Sequence, residues 1–376
     1  TVNVYADGKV VTDNLDTTNT LDSITVSDCT LDPVFSSATT EYSCKVSNSV
    51  SSVTVNAKAS STKAKVRGLG TKDLTVGKNT LPIRVIAEDG SEKIYNINIT
   101  RKAGVSSLKN EIMKNSVITA NPTLTTSSNN TSDASGLYKS TATNTGEPTY
   151  YFRGAVENNY VSFAGFTWRI VRINEDGTIR IVMQDGINSN ANIAFNSNYN
   201  YYTYMYYTNS QAKTQLKSWY KTNIGSKKDL ASSVASGNYY CEQAKAKYYD
   251  NATSGSATMT TYNKYTPDFK CSSDGNNKGI VNASVGLLSY DEVVYAGGYY
   301  NQNNSNYYLN NSSIAWWTMS PTGFASGNSN VWIVNVLGGI DANGVAGTRR
   351  LRPVIILNAD TLVTGDGTSE NPFVVE

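Results

Sequence analysis

Between residues 24 and 100 the chain alternates apolar with polar side chains in six short runs, at 24–26, 42–46, 53–59, 64–66, 81–88 and 93–100. A period of two puts every second side chain on one face of an extended segment, so each run predicts a half-buried strand. The breaks are turns: Asp89-Gly90 separates the last two runs, and Asp-Gly between alternating runs is the strongest short hairpin signal. With no helical period to draw on, six or seven short strands bury a core by stacking as two sheets. This predicts an all-β Greek-key sandwich over residues 18–103, behind an N-terminal lead-in at 1–17. The open sheet edges of such a module need cover, which neighbouring domains of a longer surface protein would supply.

The length of 376 residues leaves room for a second, larger domain. Residues 104–135 read as a linker with a short helix: Leu108, Ile112 and Met113 fall at helical spacing behind Ser106 or Ser107 as N-cap, and a Ser/Thr/Asn run follows. From residue 136 the pattern mixes strands and helices, an α+β domain over 136–376 with an insertion at 195–285. Runs at 160–163, 166–173 and 179–183 predict a meander, its last two strands joined through Asn174-Glu175-Asp176-Gly177-Thr178. Asn209 or Ser210 can cap a helix reaching about Lys221, and another helix is expected near 229–235. Ser289 or Tyr290 starts a helix that Gly297 ends, and strands at 315–319, 331–336 and 351–357 close the chain.

Histidine is absent from the whole sequence. That removes the usual general base, the usual zinc ligand and every Ser–His or Cys–His nucleophile pair, so the chain is expected not to be an enzyme. The four cysteines form two local pairs, Cys29 with Cys44 and Cys241 with Cys271, one in each expected domain. Their even number, and the lack of any CxxC spacing, favour two disulfides in an oxidising compartment; four unpaired buried thiols are the alternative. The 32 basic and 30 acidic residues nearly cancel and form no basic block, which excludes an ordinary nucleic-acid binder. No apolar run approaches the roughly 20 residues of a membrane helix. No leader or anchor pattern stands out either, so secretion and attachment are expected to depend on segments outside this sequence.

Particular residues also carry family resemblances. Leu31-Asp32-Pro33-Val34-Phe35, Tyr42, Val53-Thr54-Val55, Gly77-Lys78-Asn79, and Val85 to Gly90 with Tyr95 to Arg101 resemble the bacterial cadherin-like β-sandwich domain. That resemblance implies a spacer module of Gram-positive surface proteins, with no catalytic residues. Farther on, Phe163-Ala164-Gly165, Trp168-Arg169-Ile170-Val171, Trp316-Trp317-Thr318-Met319-Ser320-Pro321, Val331-Trp332-Ile333-Val334 and Leu351-Arg352-Pro353-Val354-Ile355 resemble uncharacterised Firmicutes surface proteins. Their Trp-x-x-Ser-Pro and Arg-Pro-Val signatures are similar to the C-type-lectin-like fold of the formylglycine-generating-enzyme superfamily. The reactive cysteines of those enzymes have no counterpart motif here, so their chemistry is not implied.

The conspicuous residues of the second domain have structural readings beside functional ones. Trp316 and Trp317 are adjacent on an expected strand, which sends one into the core and the other toward a pocket or neighbour. Arg352, flanked by apolar residues, needs a carboxylate or carbonyl partner inside the fold. Ser320-Pro321 reads as the turn that ends a strand. Asp291 and Glu292 lie about 100° apart on a helix, which suits a helix start better than an acid–base pair. Asp341-Ala342-Asn343-Gly344 and Gly365-Asp366-Gly367-Thr368 offer oxygens of the kind calcium takes, although turn chemistry accounts for both; no other cofactor is expected.

The 26 tyrosines offer stiff amphipathic surface suited to a glycan or host-protein ligand. AT-rich coding and ordinary surface turns account for the same composition. The candidate ligand-binding residues are Tyr201, Tyr202, Tyr204, Tyr206 and Tyr207 in the run from Tyr199, Tyr299 and Tyr300 in the loop 299–308, Trp317, and Phe324 in the loop 322–330. Together these features predict an extracellular adhesion or ligand-binding protein of a Gram-positive cell surface, with the sandwich as spacer. A purely structural stalk or pilus subunit, or a cell-wall glycan hydrolase using two carboxylates, are the alternatives.

Overall fold

The computed structural model describes residues 2–4, 10–12, 14–102, 104–124, 133–242, 267–271, 279–325 and 327–376. The chain divides into two compact units, Thr1–Gly104 and Val105–Glu376, both dominated by strands.

In the first unit a hairpin of Val2–Val4 and Val10–Thr12 precedes two sheets. One sheet has Ser52–Ala59 between Leu21–Val26 and Gly70–Asp73; the other runs in the order Glu41–Val46, Glu92–Arg101, Gly77–Ile86, Lys65–Arg67. Period-two patterning explains the packing. Tyr42, Cys44 and Val46 point inward from one strand, Tyr95, Ile97 and Ile99 from its neighbour, and Leu21, Val55, Ile83 and Val85 meet them in the shared core. Each fully buried aliphatic side chain contributes about 1.5–3 kcal/mol. The two core tyrosines keep their hydroxyls bonded: Tyr42 donates to Ser36 O and Thr39 O, and Tyr95 to Ser37 O at 2.9 Å. The strand Gly70–Asp73 went unread in the sequence because it carries no apolar alternation; its place comes from pairing with Ser52–Ala59. Asp89-Gly90 makes the expected turn, with Gly90 at φ 87° and Ala87 N donating to Ser91 O.

The disulfide Cys29–Cys44 forms as expected. Cys29 follows the first strand of one sheet and Cys44 lies within a strand of the other, so the bond staples the two layers. A closed loop of 15 residues is worth about 3 kcal/mol on the chain-entropy account.

The second unit is built on a ten-stranded mixed sheet. At its centre Phe166–Ile173 pairs with Ile179–Met183, which pairs with Val354–Leu357, and every residue of the last two strands is buried. Strands covered on both faces read as continuous apolar runs, which is how these segments appear in the sequence. On its other edge Phe166–Ile173 takes Tyr160–Phe163 along its first half and Thr149–Arg153 along its second. Toward one edge of this sheet, Ser106–Ser107 pairs with Leu362–Thr364, and that strand with Phe373–Val375, so the two ends of the unit lie side by side. A separate sheet of Trp316–Ala325, Asn328–Val334 and Ile340–Gly344 stands beside it.

Two expected boundaries change. The segment read as a linker at 104–135 opens this unit: Ser107 caps the helix Leu108–Ile112, which buries Leu108 and Ile112. The segment read as an insertion at 195–285 supplies Phe195, Tyr207, Leu216, Trp219 and Ile224 to the same core as the sheet. Helix signals were read more closely. Ser210 caps Gln211–Tyr220, and Ser289 with Glu292 forms a capping box on Tyr290–Ala296, which Gly297 ends. Ser320-Pro321 does not end its strand; it lies inside Trp316–Ala325, where the pairing register shifts on both sides of Pro321. A bulge accommodates a residue with no N–H to give to the ladder. Cys241 is bonded to Cys271. Among the described residues no helix is long and apolar enough to cross a membrane.

Six tyrosines of this unit, Tyr151, Tyr207, Tyr240, Tyr290, Tyr307 and Tyr308, have their ionisation pushed far up by burial. In the unfolded chain the same hydroxyls ionise near 10, so above that pH the fold holds protons that the unfolded chain has released. Their contribution is therefore complete below about pH 10 and falls above it by about 1.4 kcal/mol per pH unit for each ring. Tyrosinate absorbance followed through an alkaline titration should show these rings ionising only together with loss of near-ultraviolet circular dichroism. Ionisation of every tyrosine near 10 with the fold intact would contradict the burial described.

Candidate functional site

Among the described residues of the second unit, two gatherings of polar groups differ sharply in volume. The first is a buried ion cluster. Glu292, on the first turn of Tyr290–Ala296, sets Oε1 at 3.5 Å from Arg172 Nε and 3.2 Å from Arg180 Nε, while Glu175 reaches Arg172 Nη1 at 3.5 Å. Arg180 also donates to Tyr239 O, and the two guanidinium groups stack over Phe269 and Tyr240. Burial, then the neighbouring Arg180 charge, pulls the Arg172 ionisation down, so the carboxylates are what keep two arginines side by side. The void there is about 10 Å³, room for one water at most. The cluster is a structural bolt with no space for a ligand. Glu292 thus carries more than the helix-start charge read from the sequence.

The second place is open. A cleft of about 670 Å³ lies along the small sheet, within the range of small-ligand sites. Its lining includes the buried Ile314 and Ile333, with Ala315, Tyr300 and Asn301. The strand Ile340–Gly344 presents Asp341, Ala342 and Asn343, and the segment after it presents Thr348, Arg349 and Arg350. Asn335 Nδ2 donates to Asp341 Oδ2 at 2.6 Å, and Arg350 Nη1 to Asn192 Oδ1 at 2.6 Å. The hairpin that forms one wall is pinned at its tip. Asn304 N donates to Leu337 O, Tyr307 Oη to Gly338 O and Asn301 N to Ile340 O. Gly338, at φ 78°, lies so close to Asn304 O that a Cβ has no room. Among the described residues only one carboxylate, Asp341, lines the cleft.

The sequence-predicted ligand residues divide. Tyr300 lines the cleft. Tyr201 is 53% exposed at the opposite end of the same small sheet, where Ser329 Oγ donates to Tyr201 O and Ser329 N to Tyr199 O. Phe324 pairs with Ser329 in the hairpin there, so that loop and the Tyr199 run come together, with Tyr202, Tyr204, Tyr206 and Phe324 half-buried. Tyr207, Tyr299 and Trp317 do not reach the surface. Tyr207 donates to Val285 O within the core. Tyr299 takes the Arg153 guanidinium at 2.6 Å, and Arg153 in turn holds the last carbonyls of Tyr290–Ala296. Trp317 donates Nε1 to Ile193 O and meets Phe195 edge-on. Trp316 is buried as well, under the Arg352 guanidinium, so both faces of that strand are covered and neither indole looks outward. Arg352 finds carbonyl partners, Met183 O and Leu309 O, and burial lowers its ionisation to about 10.

Arg349, Arg350 and Asn335 were not singled out from the sequence. The one available signal was an arginine pair in an amide-rich stretch with few charges. Asp341 and Asn343 were noted for calcium. Among the described residues no group of three or more His, Cys, Asp or Glu is placed to hold a metal ion. Asp366 spends its Oδ1 on Thr368 N and Oγ1 in a turn.

Residues 21–102 match the family model of the cadherin-like beta sandwich domain. Residues 180–359, which include every residue of the cleft, match that of a domain of unknown function, DUF6273. Searches of curated proteins and of solved structures returned no match. The chain therefore carries an N-terminal cadherin-like β-sandwich domain, and that module with the two disulfides indicates an extracellular protein.

Proposed function

We propose that this is a non-enzymatic ligand-binding protein of a Gram-positive cell surface, whose second unit holds a glycan in the cleft between Tyr300 and Arg350 and whose sandwich spaces it from the cell. The observation that carries this is an open, preformed polar cleft with a single carboxylate in its lining among the described residues. Hydrolysis of a glycoside by the usual route needs two carboxylates across the bond, and the chain has no histidine to substitute. A C-type-lectin-like fold for the second unit is supported by the pairing of Ser106–Ser107 with Leu362–Thr364, which sets the two ends of the unit side by side.

The test is an array of glycans and extracellular host proteins probed with the whole chain, repeated with Ala342→Trp, which fills the cleft from an exposed position on its wall. Binding to glycans without turnover, weakened at least about tenfold by the tryptophan, is the expected result. Cleavage of a wall glycan, or hits indifferent to Ala342→Trp, would remove the cleft as the binding site.

A further inference from the structure

The cleft lining combines two guanidinium groups with a carboxylate and apolar surface and, resting on the reading of it as a glycan site, we propose that its ligand is an acidic sugar: a uronic or sialic acid residue displayed on a glycan chain. Part of the lining is cationic. Arg349 donates Nη1 to Thr348 O at 2.7 Å and, with the Asn343 amide turned to donate to Gly344 O, Nη2 to the Asn343 side-chain oxygen at 3.0 Å. Arg350 donates to Asn192 Oδ1. Neither forms an ion pair among the described residues, whereas Arg153, Arg172 and Arg180 of the same unit are each joined to a carboxylate. Both Nε atoms are buried without an acceptor, and the internal oxygens that meet the two guanidinium groups are neutral carbonyl and amide oxygens, so no described carboxylate balances the two charges. Half-buried guanidinium groups at a cleft wall, with N–H to spare, match the two oxygens of a carboxylate.

The rest of the lining suits hydroxyls and ring C–H groups. Asp341 has one oxygen taken by Asn335, which leaves the other to accept from a sugar hydroxyl. Ile333, Ala342 and the Tyr300 ring give apolar surface for ring C–H groups. A sugar acid places one carboxylate and several hydroxyls within a single ring, in keeping with this polarity. A run of acidic peptide side chains would bring further carboxylates against Asp341 and supply no hydroxyls.

Calorimetric titration of the whole chain settles the matter, with glucuronic acid and N-acetylneuraminic acid, the methyl ester of each, glucose, and hexaglutamate as probes. Each free acid should bind at least about tenfold more tightly than its ester, and the difference should shrink in high salt as the charges are screened. Arg349→Gln and Arg350→Gln should each lower affinity for the acids about tenfold and for the esters by much less, so that the acid–ester difference shrinks. The acid–ester comparison needs no variant, so a substitution that misfolds leaves the test standing. Acids and esters binding equally, with both sensitive to Ala342→Trp, would overturn the acidic ligand and leave the glycan site intact. Hexaglutamate binding above the sugars would overturn it in favour of a protein partner. Failure of every probe, with no glycan captured on the array, would overturn both readings.

Discussion

Replacing Glu292 with alanine is expected to cost the second unit about 3–5 kcal/mol, a large share of the stability of an ordinary domain. The substitution removes a capping-box partner and at the same time strands Arg172 and Arg180, whose side chains are only 4% and 3% exposed. Arg180 is then left as a buried cation without a carboxylate beside Arg172, which keeps only Glu175 at 3.5 Å. The effect can be read from one unit alone, because Trp168, Trp219, Trp316, Trp317 and Trp332 are all the tryptophans of the chain and none lies before residue 105. Urea unfolding followed by tryptophan fluorescence should show the midpoint collapse while the sandwich is unaffected. Glu292→Gln should fall between, since glutamine can serve the capping box but cannot neutralise the arginines. A loss below about 1 kcal/mol for the alanine variant would mean that the cluster is solvated, against the geometry described.

Trp317→Ala is expected to cost a similar amount, about 3–5 kcal/mol. The indole is 0% exposed, so its removal opens a void beside Phe195 and leaves Ile193 O without the Nε1 donor. Tyr201→Ala, at an exposed position with no comparable packing, should stay within about 0.5 kcal/mol. The pair of variants separates the two roles that the sequence left open for aromatic residues. If Trp317→Ala kept full stability and lost ligand, the indole would be a contact and its placement in the core would be wrong.

Much of the sandwich was legible because period-two patterning and turn residues act locally. Tyr42, Cys44 and Val46 announce their inward face without help from any distant residue, whereas Gly70–Asp73 has no such face and exists by virtue of its partner strand. Helix caps were legible for the same reason: Ser107, Ser210 and Ser289 each accept from a backbone N–H three residues on. What escaped was long-range. Nothing near Glu292 in sequence signals that Arg172 and Arg180, more than a hundred positions earlier, converge on it. The cleft likewise assembles Asn192, Tyr300, Asp341 and Arg350 from separate segments, and only contact in the folded chain brings them together. Tyr207 and Tyr299 misled because an aromatic-rich loop carries the same letters whether its rings face water or the core.

The close approach of Gly338 to Asn304, with the bonds from Asn301, Asn304 and Tyr307, has a kinetic corollary. A wall anchored on both sides of its tip has little freedom to surrender when a guest arrives, so the entropic penalty of ordering the receptor is small. Arrival should then be governed by diffusion and charge, nearly the same for every related guest. Discrimination among guests would reside in how long each one stays.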